Sequence, residues 1–299
     1  MFKVAVLIPT RDRREYFLQL LKALAAQELP ENCELEVICL NTGALSYDLN
    51  FLEIPLKIDY IEENKDGYVW ARNELIRLAA ERHDILIFID DDEYPSSKWL
   101  LNLVTQLIER QTVAIVGPIF PDFHNYTGWK IKCTFFSHNN LGHKTKTSRF
   151  LSSGNLGLNL TLLRKKIQGE IFDQRFNMLG GEDTFLSTKI SAFFGHDQIS
   201  FSSDAIVYEH TEQNRLSILF MARKYLRTGA IQAELHRDDK LLGKIVKLAG
   251  TFLGTPPKVL FRLFRQQIFD IRVIALTLFL EFLRIWSYGM QSFRLKNPE

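Results

Sequence analysis

Four consecutive acidic residues, Asp90 to Glu93, follow the hydrophobic run LIFI in the stretch LIFIDDDEYP. Carboxylates repel one another and bind water strongly, so this crowding is unfavourable unless a cation offsets it. A hard divalent cation takes oxygen ligands, and one or two carboxylates at the end of a strand can hold it. The alternative is a solvated acidic loop in which Asp or Ser side chains, such as Ser96, cap the next helix.

A second acidic pair, Glu182 and Asp183, lies in the stretch GGEDTFL at the predicted start of a helix. The two preceding glycines allow the backbone to come close to a ligand. A carboxylate here could accept a proton from an attacking hydroxyl if it lies within hydrogen-bonding distance. The alternative is that both side chains only complement the dipole of the helix.

Two further stretches, YEH and NKDGYVWARN, also allow two interpretations. His210 ends a predicted strand and is either a metal ligand or a structural histidine. Gly67 could simply make a turn. Arg72, near a predicted helix start, is either a surface charge or a contact for an anion such as phosphate.

Strand-like and helical segments alternate along the first part of the chain. Strands are predicted over residues 3–9, 35–40, 56–61, 84–90 and 113–117, and helices from a capping box at Asp12 and Glu15, over 68–82 and over 97–110. This alternation predicts an α/β fold with a mostly parallel sheet covered by helices. Ligands bind at the carboxyl ends of such strands, so Thr10, Arg11, Asn41 and Asp90 to Asp92 should converge.

Composition indicates a globular protein with a sizeable core, since 46% of its 299 residues are hydrophobic and 24% are charged. The net charge of +2 is unevenly distributed: residues 241–296 contain nine Lys and Arg against two acidic residues. Such a basic tail favours an anionic surface as partner. The three cysteines lack metal-ligand spacing and no signal peptide is apparent, so a cytoplasmic location is expected.

Five separated motifs, VLIPTRDR, NKDGYVWARN, FIDDDE, GGEDTFL and YEH, occur together in the order typical of family 2 glycosyltransferases. The sequence resembles that family over about residues 3–229. DDDEYPSSKWL, VGPIFP and SSGNLGL further resemble the bacterial branch that includes succinoglycan-type glucosyltransferases of exopolysaccharide assembly. The resemblance implies the GT-A fold, with helices flanking a mostly parallel central sheet. It also implies inverting sugar transfer from a nucleotide-diphosphate donor.

The resemblance also implies roles for individual residues. Asp183 would be the general base, with Glu182 beside it, and Asp92 and His210 would hold Mg²⁺ or Mn²⁺. The residues implied in nucleotide-sugar binding are Pro9, Thr10, Arg11, Asn41, Asp66, Gly67, Arg72, Asp90 and Asp91. The turn CLNTGA departs from the DDGS-like turn of many relatives, which leaves the recognised base open.

We predict a catalytic domain over residues 1–230 and a basic, amphipathic helical extension over 231–299. In the extension, the basic residues 258, 262 and 265 fall on one helical stripe, and the apolar residues 259, 260, 263 and 264 fall on another. A later apolar run is interrupted by Glu281 and Arg284 and is expected to be too short to span a bilayer. The pattern predicts a helix lying in a membrane interface. The alternative is packing against the domain or a second subunit.

These interpretations predict a peripheral enzyme on the inner face of the cell membrane. Its partners would be a nucleotide-diphosphate sugar donor and a glycan or lipid-linked saccharide acceptor, with no nucleic acid. One competing reading is a catalytically inactive glycan-binding or scaffold protein of the same fold. Another is a sugar-nucleotide pyrophosphorylase. That class would carry a glycine-rich basic loop after the first strand, where PTRDRREY has no glycine.

Overall fold

The computed structural model describes residues 1–49, 53–124, 126–133, 147–148 and 150–294. The chain forms two compact units. The first comprises Met1–Asp122 and Gly142–His210, and the second comprises Phe123–Leu141 and Thr211–Glu299. The functional boundary after residue 230 stays a prediction.

The first unit contains ten described strands and five described α-helices. The strands are β1 Phe2–Thr10, β2 Cys33–Asn41, β3 Ile58–Glu62, β4 Ile85–Phe88, β5 Glu93–Pro95, β6 Ala114–Val116, β7 Ile119–Asp122, β8 Leu156–Asn159, β9 Ile199–Phe201 and β10 Val207–His210. The helices are α1 Arg14–Ala25, α2 Tyr68–Ala79, α3 Trp99–Arg110, α4 Leu160–Leu163 and α5 Glu182–Phe194.

Seven of these strands form one sheet in the order β3-β2-β1-β4-β8-β6-β9. Strands β1 to β4 run parallel, whereas β8 is antiparallel to both β4 and β6. Thr10 pairs with Asn41, and Leu7 pairs with Phe88. The carboxyl ends of β1, β2 and β4 therefore lie at one edge of the sheet. The predicted α/β fold is confirmed.

The core of this unit follows from the hydrophobic pattern. All four residues of β4 are buried, as are Val4 to Ile8 of β1. Helix α3 buries Trp99, Leu103 and Leu107, which are spaced four residues apart and therefore share one face. Because β4 is buried and α3 is held in the same core, the positions of the acidic residues between them are fixed.

The predicted cap at Asp12 is wrong, and the alternative cap at Ser96 is not formed either. Asp12 does not cap α1; it has a φ of 56°, and its Oδ1 accepts a hydrogen bond from the backbone N–H of Ala44 at 3.1 Å. Helix α3 begins after Lys98 without a side-chain cap, so Ser96 does not cap it either. The Asp12 carboxylate instead ties the end of β1 to the turn after β2, where the site lies.

The central strand β8 was missed in the sequence because LGLN is short and contains a glycine. Gly157 is required there, since a Cβ at this position would lie 2.7 Å from Cγ2 of Ile115. The predicted strand ending at His210 is confirmed as β10. It pairs with β5 and β7 in a separate three-stranded sheet rather than in the main sheet.

Helices α6 Ile218–Leu235, α7 Leu241–Arg265 and α8 Ile271–Arg294 lie in the second unit. Helices α6 and α8 pack closely at Gly229, where a Cβ would lie 2.2 Å from the carbonyl oxygen of Arg284. Ser287 Oγ donates to the carbonyl of Leu226 at 2.7 Å in the same contact. The predicted helical character of this region is confirmed.

Among the described residues, only α8 is long and apolar enough to cross a membrane, by length and composition alone. Its most apolar 18-residue window has a mean hydropathy of 1.4, and 39% of that window is buried inside the protein. The apolar run was expected to be too short to span a bilayer, but it belongs to a helix of 24 residues, which is long enough. Glu281 and Arg284 pair at 2.7 Å in a partly buried position, where Arg284 also donates to Gln232 and Thr255, and the helix continues through them.

Asn155, which is fully buried at the start of β8, predicts a measurable stability effect. It accepts from Trp99 Nε1 at 2.9 Å and donates to the carbonyls of Pro118 and Ala205 at 3.1 and 2.8 Å. Replacing Asn155 by Ala should lower the free energy of unfolding by about 3 kcal/mol, because two buried groups and one partly buried carbonyl lose their partner. Urea denaturation measures this change.

The matched control is Asn102→Ala on α3. Asn102 donates one hydrogen bond to the carbonyl of Asp204 from an exposed position. It should cost less than about 1 kcal/mol, since water replaces the lost bond. Equal losses in the two variants would contradict the assignment of Asn155 as a buried anchor.

Candidate active site

Asp91 joins the acidic segment after β4 to the end of β1. Its Oδ2 accepts from Thr10 Oγ1 at 2.9 Å and from the backbone N–H of Arg11 at 3.2 Å, and its Oδ1 accepts from Arg13 Nη1 at 2.9 Å. Thr10, Arg11 and the aspartates therefore lie together, as predicted. Asp91 and Thr10 are both buried, so in this arrangement they shape the site from beneath.

Asp92 lies next to Asp91 and shares the same guanidinium, with Arg13 Nη1 at 2.9 Å from its Oδ2. Burial raises the pKa of Asp92 to about 7, and the charges of Asp90 and Glu209 add to the shift against the opposing charge of Arg13. Burial therefore outweighs the attraction of Arg13, and Asp92 takes up a proton more readily than an exposed aspartate. Arg13, which belongs to the motif VLIPTRDR, was missed as a site residue.

Glu93 is buried beneath the loop and holds its shape. Its Oε2 accepts from the backbone N–H of Asp90 at 2.8 Å. A Cβ at position 154 would lie 2.3 Å from Glu93 Oε1, so Gly154 is needed for this close approach. Burial raises the pKa of Glu93 well above its ordinary value, with the charge of Asp90 adding to the shift.

The three-stranded sheet places His210 next to the aspartate segment, because β10 pairs with β5. Its backbone N–H donates to the carbonyl of Asp92 at 2.8 Å. The ring stacks on Tyr16 with the ring centroids 4.6 Å apart and also contacts Tyr94 at 4.8 Å. The two aromatic rings fix the imidazole at the same edge as Asp92.

Asp122 is a further candidate that the sequence did not reveal. It is opposite His210 in the pairing of β7 with β10, and its carboxylate and the His210 ring offer ligand atoms within 4.8 Å of one another. Tyr94 Oη donates to Asp122 Oδ2 at 2.8 Å. Only the pairing of two short strands brings this residue to the site, so sequence spacing carried no signal for it.

Arg72 is in the second turn of α2 and is only 6% exposed. Its Nη1 donates to Glu182 Oε1 at 2.9 Å, and its Nη2 donates to Asp90 Oδ1 at 2.8 Å. The interpretation of Arg72 as a surface charge is therefore wrong. One buried guanidinium joins the segment after β4 to the start of α5.

Glu182 and Asp183 begin helix α5 after Gly180 and Gly181, whose φ values of 85° and 91° suit glycine. Burial raises the pKa of Glu182 to about 6, and it also raises the pKa of Asp183. The Asp183 Oδ1 accepts from the backbone N–H and the hydroxyl of Thr184 at 2.6 and 3.2 Å. Both carboxyls are thus desolvated at the same edge as the aspartates.

The segment before α2 explains Gly67. It has a φ of 120°, and a Cβ there would lie 2.2 Å from the side chain of Asn177. Asn177 Oδ1 accepts from the backbone N–H groups of Val69 and Trp70 at 3.1 and 3.3 Å and so caps α2. Gly67 therefore makes a turn, as its simpler interpretation held. Nearby, the exposed side chains of Arg11 and Asp66 form an ion pair.

Asn41 at the end of β2 stabilises the turn that follows it. Its Nδ2 donates to the carbonyl of Leu45 at 2.6 Å and to Tyr60 Oη at 2.8 Å, and its Oδ1 accepts from the N–H of Gly43 at 2.9 Å. Both amide hydrogens are used, which leaves neither for a nucleotide base in this arrangement. Pro9, half-buried and opposite Leu40, completes the same edge.

The sheet, with acidic groups gathered at the carboxyl ends of β1 and β4, is that of a GT-A transferase. The sequence profile described as Glycosyl transferase family 2 matches residues 5–172, more than half of the chain. The chain belongs to this family and is a glycosyltransferase.

Two named relatives share part of this sequence. The succinoglycan biosynthesis protein ExoM of Rhizobium meliloti is 26% identical over 232 residues, covering 75% of this chain and 72% of that protein. The chondroitin synthase of Pasteurella multocida is 23% identical over 226 residues. That match covers 63% of this chain but only 23% of the synthase.

Two solved structures share the fold. The mannosyltransferase PcManGT from Pyrobaculum calidifontis, in complex with GDP-Man and Mn²⁺, is 16% identical with a TM-score of 0.61. It covers 97% of this chain and 86% of that chain. Residues 1–349 of TarS from S. aureus, in complex with UDP, give a TM-score of 0.51 at 16% identity, covering 97% and 90%.

Proposed function

We propose that this protein transfers a sugar, with inversion, from a nucleotide-diphosphate donor to a hydroxyl of a glycan acceptor in polysaccharide biosynthesis. One observation carries the proposal: two acidic groups lie at the same edge of the sheet, one around Asp90 and one around Glu182. Arg72 joins them by forming an ion pair with each. Direct transfer needs a leaving-group site and a base. The name of ExoM, a succinoglycan biosynthesis protein, supports polysaccharide assembly as the setting.

The geometry favours Asp183 over Glu182 as the base. Glu182 Oε1 is held by Arg72 at 2.9 Å and lies 3.5 Å from Ser153 Oγ, so this carboxylate is committed to the protein. Asp183 would accept the proton of the acceptor hydroxyl while the hydroxyl oxygen bonds to the anomeric carbon of the donor sugar. The bond from that carbon to the diphosphate breaks, and its electron pair leaves with the nucleoside diphosphate.

The donor set fits a divalent cation. Asp92 is a buried carboxylate with a pKa of about 7 among further acidic groups, and its carbonyl accepts from the backbone N–H of His210, whose ring is held by Tyr16 and Tyr94. We propose that Asp92 and His210 hold Mg²⁺ or Mn²⁺, with Asp122 as a further ligand. When bound, the cation would neutralise charge on the leaving diphosphate. Arg13 contributes a permanent positive charge to the same segment.

Two competing functions fit less well. A pyrophosphorylase would bind phosphates with a glycine-rich loop after β1, whereas here the side chain of Arg13 and the backbone of Arg11 bind Asp91. An inactive scaffold would have no need for two desolvated acidic groups at one edge. Formation of glycosylated product by the purified protein would exclude the scaffold.

Replacing Asp183 by Asn tests the base. The amide has nearly the same shape but cannot accept the proton, so transfer should fall by about 10²–10⁴-fold while donor binding is retained. Product formation from radiolabelled donor measures transfer, and calorimetry measures donor affinity. The control is Asp197→Asn on the exposed surface of the same unit, which should leave both unchanged. Near wild-type transfer by Asp183→Asn would contradict the assignment.

Removal of divalent cations tests the metal site. Transfer should be abolished by a chelator and restored by Mn²⁺ or Mg²⁺, because uncompensated diphosphate is a poor leaving group. Asp92→Asn should weaken the apparent affinity for Mn²⁺ by about tenfold or more, since a charged ligand is lost. Asp204→Asn, an exposed carboxylate that is not among the proposed ligands, is the control. Full activity in chelator would exclude the proposed ligand set.

The second unit supports a peripheral membrane location and a lipid-linked acceptor. The predicted apolar stripe of α7 divides: Val259 and Leu263 are buried, whereas Phe264 is 68% exposed. Other large apolar side chains exposed on the same helix are Leu241, Leu242, Ile245, Val246, Phe252, Leu253, Leu260 and Phe261. Basic residues 258 and 265 are exposed on this helix as well. We propose that this face lies in the interface of an anionic membrane on the cytoplasmic side.

Vesicle flotation tests this surface. The protein should float with vesicles containing phosphatidylglycerol and bind neutral phosphatidylcholine more weakly, because basic residues attract anionic lipid. The double variant Phe261→Ser and Phe264→Ser should bind at least about tenfold more weakly, since two exposed aromatic side chains that would enter the bilayer are lost. Phe193→Ser, also an exposed phenylalanine but in the first unit, is the control. The proposal would be contradicted if the wild-type protein did not bind vesicles but formed a dimer that the double variant abolished.

A further inference from the structure

The buried ion pairs of Arg72 join two parts of the chain that the reaction uses differently. Nη2 binds Asp90, in the segment after β4, and Nη1 binds Glu182, the first residue of α5. The side chains of Arg72 and Glu182 are both nearly inaccessible to solvent. The guanidinium is therefore largely shielded from solvent, and both of its Nη groups bind carboxylates of the site.

We propose that Arg72 is a positioning residue that keeps the adjoining Glu182 and Asp183 ionised and fixes the start of α5 relative to the aspartate segment. The proposal rests on the proposed function, because it assigns the electrostatic control of the same base. It replaces the expectation that Arg72 contacts the ribose or diphosphate of the donor. The guanidinium fork suits this role, since its two Nη groups can pair with two carboxylates at once.

The charged groups around Glu182 explain why a cation is needed there. Arg72 faces it from α2, Asp183 is adjacent on α5, and Asp90 faces it from the segment after β4. Ser153 Oγ is the neutral neighbour, 3.5 Å from Glu182 Oε1. Three carboxylates therefore surround one buried guanidinium. Loss of its charge would leave them to repel one another in a desolvated space, and the pair would bind protons more tightly.

A direct role in phosphate binding is the alternative. Arg72 Nε has no hydrogen-bond partner among the described residues, so a ligand phosphate could take that donor. The two roles differ in their kinetic consequences. A lost phosphate contact raises the KM for the donor at every pH, whereas a lost electrostatic neighbour shifts the pH at which the base becomes protonated.

The test is the pH dependence of kcat/KM from pH 5 to pH 9 for three variants. The wild type should lose activity as pH falls, because the base must be ionised to accept a proton. In Arg72→Met the midpoint of this acidic limb should move upward by about one to three pH units, the effect of removing an adjacent opposite charge. The loss at pH 6 should thus exceed that at pH 8 by about tenfold or more. Arg72→Lys, which keeps the charge, should have a midpoint between the other two.

The matched control is Arg77→Met on the same helix, since the exposed Arg77 pairs with Glu74 and not with the carboxylates of the site. Its profile should be that of the wild type. If Arg72→Met is too unstable to assay, the upward shift in Arg72→Lys alone decides the outcome. A midpoint unchanged from wild type in the folded variants would overturn the inference, as would a rise in donor KM alone. A wild type inactive with all donors would instead overturn the proposed function.

Discussion

Four carboxylates removed from water at one edge of a sheet constrain the rest of this structure. Asp91, Asp92, Glu93 and Glu182 are all buried. Burial of an ionised carboxylate costs several kcal/mol unless a cation or hydrogen-bond donors compensate it. Arg13 compensates two of them, Arg72 compensates a third, and a backbone N–H binds the fourth. Burial nevertheless raises the pKa of all four carboxyls, so compensation of their charge is incomplete.

The fold provides these compensating groups through its parallel strands. A helix that follows a parallel strand begins near the carboxyl edge, so its first residues face the same ligands. Arg13 directly precedes α1, and Arg72 lies in the second turn of α2. The N-termini of helices α1, α2 and α5 add partial positive charge. Gly67 and Gly154 allow the backbone to approach where a side chain would collide with Asn177 or Glu93. The acidic edge and its supports are therefore one structural unit.

Local patterns predicted much of the fold, since the strands and helices before residue 117 carry strong hydrophobic periodicity. They also placed Thr10, Asp90 and Glu182 at strand ends or a helix start, which parallel pairing then brings together. Asp122 was missed because its approach to His210 depends on the short strands β7 and β10. Asp12 was misassigned because its carboxylate can bond either a helix N-terminus or a neighbouring turn, and tertiary contact decides. Ion pairs such as that of Arg72 are similarly invisible to spacing.

The adjacent acids Glu182 and Asp183 show how neighbouring residues can acquire different roles. Successive residues on a helix project about 100° apart, so the guanidinium of Arg72 can bind the first acid without binding the second. Glu182 faces Arg72, whereas Asp183 is oriented by the N–H and hydroxyl of Thr184. Burial raises the pKa of both, but only Glu182 is tied down by a guanidinium. Under the proposed function, Glu182 holds the guanidinium of Arg72, and the positive charge of Arg72 lowers the proton affinity of Asp183. The Asp183 carboxylate can then accept a proton because the charge beside it is already paired.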